Sequence, residues 1–188
     1  MLASSAHAQL SSYGLSDGQL AALQKGEVIV IKLRPPQDAG VKFRAFQKLE
    51  VEARKLQAIM VDCDKFDRFM PRTLSSSISD RTDNGAICDV LVDMPFPFDD
   101  LRSVVKTRWG SPKPGVWTRS WTLLSGSFNR NEGSWTVLTT PKPTESIVVY
   151  EASVDPKISI PDFILRTAQV NTVPNLMQAL LNRARTVK

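Results

Sequence analysis

Hydrophobic and polar positions repeat along this chain with two different periods, and the switches between them mark out its elements. Residues 16–25 open on Ser16-Asp17 and space Leu20, Ala21 and Leu23 for a short helix that Gly26 ends. The β-branched run from Val28 to Leu33 predicts a strand, RPPQDAG (34–40) a loop, and Phe43 to Val51 the next strand. From Glu52 the period lengthens. Ala53, Leu56, Ile59 and Met60 predict a helix, and Phe66, Phe69 and Met70 a second short one that Pro71 stops. From there to about Val154, runs rich in Val, Ile, Thr and Trp are broken at Asn84-Gly85, Pro95 to Pro97, Gly110 to Gly115, Gly126 to Gly133 and Pro141 to Pro143. Turns roughly every ten residues predict a meander of about six antiparallel strands. Ile160 to Arg185 predicts one long helix, with Phe163, Thr167, Val170, Pro174, Met177, Leu181 and Ala184 on a single stripe. Pro174 inside it predicts a kink.

This order implies an α+β fold in which a curved antiparallel sheet wraps a long carboxy-terminal helix, with two short helices after the first core strand. One helix cannot fill a broad curved sheet, so an internal cavity suited to an apolar ligand is expected between them. The chain of 188 residues suits one domain. Residues 16–188 are read as that domain and residues 1–15 as a flexible tail.

Composition narrows the chemistry. The single histidine, His7, lies in the tail, which excludes a histidine-based triad or dyad and the common catalytic zinc sites. Phosphate-cradling glycine loops and the nucleophile elbow are also missing. No catalytic residue, metal ligand or cofactor is assigned. The net charge of +5 is scattered rather than gathered in a run, so nucleic acid is not an expected partner, whereas transient contact with an anionic membrane surface is. Ala6-His7-Ala8 has the small-x-small form that precedes a signal-peptidase cut, so a periplasmic or secreted location is expected, with the cytoplasm as the alternative. Cys63 and Cys88 fit no metal spacing and are expected as buried free thiols, one bridge between them being the alternative in an exported chain.

Four segments carry a family resemblance. Val61 to Pro71 (VDCDKFDRFMP), Pro95 to Lys106 (PFPFDDLRSVVK), Gly133-Ser134-Trp135, and Thr144 to Pro156 (TESIVVYEASVDP) stand in order ahead of Ile160-Pro161 and the last helix. Together they resemble START-like proteins of the polyketide cyclase/dehydrase (SRPBCC) superfamily, across about residues 41–185. The resemblance implies the helix-grip fold and a pocket for a lipid, sterol, quinone or polyketide. It also sets a departure: Glu52-Ala53-Arg54-Lys55 stands where the family has an Ala-Pro pair ahead of its helix.

The candidate ligand-binding residues follow from strand parity and from this resemblance. Trp117, Arg119, Trp121 and Leu123 alternate onto one face, as do Trp135 and Val137 on the next strand. If that face is concave, three indoles line the pocket, and Arg119 must find a carboxylate, a ligand oxygen or water. Tyr150, in the last of the four segments, joins them. Along Leu101 to Trp109, alternation points Lys106 outward, while the resemblance aligns it with a cavity-facing cation. Phe163, Thr167 and Asn171 are expected to close the pocket from the helix. The function these candidates imply is binding or transfer of a lipid-like molecule. The alternatives are a cyclase/aromatase-type enzyme, in which a pocket Arg or Tyr orients a polyketone, and an accessory module that presents a quinone or lipid to a membrane complex.

Overall fold

A computed structural model describes residues 10–158 and 172–187. His7, Phe163, Thr167 and Asn171 lie outside the described residues. Helix α1 (Asp17–Gln24) starts where Ser16 caps it: its Oγ accepts from the Gln19 amide at 3.3 Å, and the Gln19 side chain accepts from the Ser16 amide at 2.9 Å. Such a reciprocal cap stabilises a helix start by about 1 kcal/mol. It seats Leu23 on the outer face of the sheet beside Phe46, Val116, Leu138, Ile147 and Val149. Leu10 is buried in the same cluster, and the Tyr13 ring meets Phe46 edge-on at 5.3 Å. Leu10 and Tyr13, within the segment read from sequence as a flexible tail through residue 15, are therefore packed against the sheet.

Eight strands follow among the described residues: β1 (Ile29–Leu33), β2 (Val41–Leu49), β3 (Thr73–Ser79), β4 (Gly85–Val92), β5 (Leu101–Lys113), β6 (Val116–Gly126), β7 (Phe128–Thr139) and β8 (Ser146–Pro156). They form one antiparallel sheet in the order β1-β2-β8-β7-β6-β5-β4-β3. Between β2 and β3 stand α2 (Ala53–Val61) and a 3-10 turn (Cys63–Arg68), and the chain ends in α3 (Val173–Thr186). These three pieces cover the inner face, where Leu56, Ile59, Met60, Phe66, Met177 and Leu180 join side chains from β2, β4 and β5 to β8. Burying each large apolar side chain there contributes roughly 1.5–3 kcal/mol.

Two sequence expectations shift. The stretch from Gly126 to Gly133 is not a turn, because β7 resumes at Phe128 and runs through Gly133. Gly133 serves packing instead: a Cβ there would fall 2.5 Å from the Trp121 ring and 2.1 Å from the Glu151 carbonyl oxygen. Pro174 stands at the start of the described part of α3, and the kink expected at it turns on residues outside the described ones. The buried positions of α3 are Val173, Met177, Leu180 and Ala184, so the stripe runs through Leu180 rather than Leu181.

Candidate functional site

The inner-face chemistry is organised by strand register. One rung of the sheet reads Ala45, Tyr150, Trp135, Arg119, Trp109 from β2 to β5. Trp117 and Trp121 flank Arg119 along β6 on the same face. Arg119 thus sits amid all four tryptophans of the chain. The next rung places Ala152 and Gly133 beside Trp121, and these small residues leave room for its indole to lie over the sheet. Its Nε1 donates to Asn131 Oδ1 at 3.0 Å.

Tyr150 is the aromatic hub. Its ring stacks on Trp135 at 4.2 Å and on Trp121 at 5.8 Å, and meets Phe43 edge-on at 5.6 Å. Each such pair adds about 0.5–1.5 kcal/mol beyond area burial. Burial pushes the phenol up to about 12, against an opposing pull from Arg119. Tyr150 therefore stays neutral at physiological pH.

Arg119 is 3% exposed. Its guanidinium lies 5.6 Å from the centre of the Phe66 ring, and Nη2 donates to Cys88 Sγ at 3.4 Å, a weak acceptor. Its Nε is buried without a partner. Desolvation lowers the guanidinium to about 10, partly opposed by Tyr150, so it remains a cation at neutral pH. No carboxylate pairs with it among the described residues. The natural internal candidate, Glu151, faces the other way: Arg44 holds its carboxylate at 2.6 Å and Lys42 at 3.3 Å.

Cys63 and Cys88 form a disulfide, which corrects the expectation of free thiols. Cys88 faces inward from β4 and the 3-10 turn sits directly over it, bringing the two Cα atoms to 6.2 Å across a sequence separation of 25. Linear spacing carries no trace of that crossing. The bridge anchors the turn that presents Phe66 to Arg119. Sequence reading missed this partner, since Phe66 looked like ordinary helix packing. Phe69 lies edge-on to Phe66 at 5.8 Å, with the Arg183 guanidinium 5.8 Å from the centre of its ring.

The structure therefore brings Trp117, Arg119, Trp121, Trp135 and Tyr150 together, but not Lys106. In β5, Leu101, Ser103, Val105 and Thr107 are buried, while Arg102, Lys106 and Arg108 are exposed. The register irregularity in this region is a bulge against β6, where Val104 faces Ser125 and Val105 faces Leu123. The extra residue is Leu124, on β6, so β5 keeps its parity. Lys106 instead lines an open outer groove of about 470 Å³ with Arg108 and Leu124. The wall that Phe163, Thr167 and Asn171 were expected to supply lies outside the described residues.

Comparison with known proteins agrees with this architecture. The family described as polyketide cyclase/dehydrase and lipid transport matches residues 49–181. No curated protein sequence matches the chain. A STAR-related lipid transfer protein from Xanthomonas axonopodis superposes with a TM-score of 0.74 at 19% identity, over 85% of this chain and 94% of that one. Human STARD10 gives 0.71 at 15% identity, over 84% and 69%. The Zhui aromatase/cyclase from a Streptomyces species gives 0.61 at 11%, over 85% and 94%. At these identities the likeness is one of fold. With the family matching most of its length, the chain is a START-like, helix-grip member of the polyketide cyclase/dehydrase and lipid transport family.

Proposed function

We propose that this protein binds a lipid-like molecule on the inner face of its sheet, with the apolar body against the tryptophans and an oxygen-bearing end at Arg119. The observation that carries this reading is a buried guanidinium with no carboxylate partner among the described residues and an orphan Nε, set in an aromatic wall. A charge placed there without a partner is costly, and a ligand oxygen satisfies it as a charge-assisted acceptor. Support for open space beside it comes from Tyr150, Trp109, Leu123 and Ile78, which face inward yet keep some accessible surface.

The cyclase alternative asks these residues for proton transfer as well as orientation. Neither Arg119 nor Tyr150 titrates near neutrality, so both suit holding a ligand better than serving as its base. The Cys63–Cys88 bridge supports an oxidising compartment, the periplasm or the cell exterior. There the protein meets its ligand at a membrane surface and hands it on.

Native mass spectrometry of the purified protein, followed by organic extraction, tests the binding. The expected result is a co-purifying apolar molecule with at least one oxygen, released on unfolding. A protein that carries nothing and takes up no lipid from mixed vesicles would overturn the reading.

A further inference from the structure

Among the described residues the inner face carries a surplus positive charge, and this limits the ligand more narrowly than its apolar lining does. Resting on the lipid-binding reading above, we infer that the ligand is an anionic amphiphile, a carboxylate or phosphate-monoester head on an apolar body, and that its charge is the counter-ion Arg119 lacks.

The inference stands on geometry. Beside the guanidinium are the ring of Phe66 and the sulfur of Cys88, and the four tryptophans are the neighbours of Arg119 along β6 and across the adjoining strands. None carries negative charge. Tyr150, the nearest titratable neighbour on the rung, is neutral and cannot compensate it. Glu151 is committed on the opposite face to Arg44 and Lys42. A neutral ligand with a hydroxyl or ketone would satisfy the orphan Nε by hydrogen bonding but leave the buried charge uncompensated. An oxyanion does both, and two oxygens match the planar fork of an arginine where one does not. Trp117, Trp121 and Trp135 offer apolar surface within reach of that head group, so one molecule with a single charged end and an apolar body fits the whole face.

The experiment is a titration of the protein's tryptophan fluorescence with probes that share one alkyl chain and differ in the head: hexadecanoate, hexadecyl phosphate, hexadecanol and hexadecyltrimethylammonium. The octyl series is run in parallel in case the longer chain is excluded. At about pH 8 both oxyanion probes are expected to bind roughly ten- to a hundredfold tighter than the alcohol, the scale of a hydrogen bond to a charged group. The ammonium probe is expected to bind more weakly than the alcohol. Arg119→Met should collapse the difference between acid and alcohol while retaining the alcohol's affinity, and Arg119→Lys should keep part of it. Tighter binding of hexadecanoate than of the phosphate, or the reverse, identifies the head group and supports the inference either way. Alcohol binding equal to or better than both oxyanions, or a preference that survives in Arg119→Met, overturns the anionic class and leaves lipid binding standing. Failure of every probe at both chain lengths overturns the lipid-binding reading itself.

Discussion

Replacing Arg119 with methionine keeps the length and apolar bulk of the side chain and removes its charge. Burial holds the folded guanidinium at about 10, well below the ordinary arginine value, a difference worth roughly 3 kcal/mol against folding while the group is charged. Because the guanidinium is enclosed, solvent gives little relief. The stacking on Phe66 lost with the charge returns about 0.5–1 kcal/mol. The ligand-free Arg119→Met protein is therefore expected to be more stable than the parent by about 2 kcal/mol, or roughly 4–8 °C in Tm for a domain of this size. For a cation whose folded value is the lower one, the penalty is present in full below about pH 10 and fades as the pH rises from there toward the ordinary arginine value. Tyr150 runs the other way: its folded value is raised from 10 to about 12, so its contribution holds below pH 10 and is lost above. The advantage of the variant should accordingly be clear at about pH 8 and shrink at about pH 11, where the parent's two trends offset each other and only the loss from Tyr150 is left in the variant. Urea denaturation at both pH values, on protein stripped of lipid, measures this. A variant less stable than the parent by more than about 1 kcal/mol at pH 8 would refute the reasoning, because it would mean that the guanidinium has an internal partner.

Gly133→Ala should destabilise by about 1–3 kcal/mol through overpacking, with a shift in tryptophan emission as the Trp121 indole is displaced; unchanged stability would put that ring elsewhere. Lys106→Ala should leave stability within about 0.5 kcal/mol and probe affinity unchanged, and weaker binding in the fluorescence titration would return Lys106 to the inner face. Reducing the Cys63–Cys88 bridge, or replacing both cysteines with alanine, should cost about 3 kcal/mol in chemical denaturation on the loop-entropy scale. An equal midpoint with and without reductant would show the bridge to be absent in solution.

The fold was legible because its signals are local and repeated. β-branched runs and turn residues mark the strands, and the change of period at Glu52 marks α2. Strand parity was legible too: simple alternation placed Arg119 with Trp117 and Trp121 and pointed Lys106 outward, whereas alignment to the family pointed it inward. Alternation prevailed because the bulge falls at Leu124 on β6 and leaves β5 undisturbed. What stayed hidden depends on elements meeting across long separations. The Cys63–Cys88 pairing and the seat of Phe66 over Arg119 both arise where the 3-10 turn crosses β4. Gly133 looked like turn punctuation because composition shows a missing side chain without showing the indole that needs the space. Leu10 and Tyr13 looked like tail because so short an apolar segment has no period to read, and its burial depends on the outer face of β2 and β8.

The cross-link between Cys63 and Cys88 has a kinetic side. Residue 63 begins the very turn that lays Phe66 over the guanidinium, so that flank of the inner face is stapled to the sheet. Any route for a ligand that required this flank to swing clear would have to break a covalent bond on every passage. On the lipid-binding reading proposed above, loading would use a different gate, one whose opening costs only noncovalent contacts, and its rate should be indifferent to how firmly Phe66 is held.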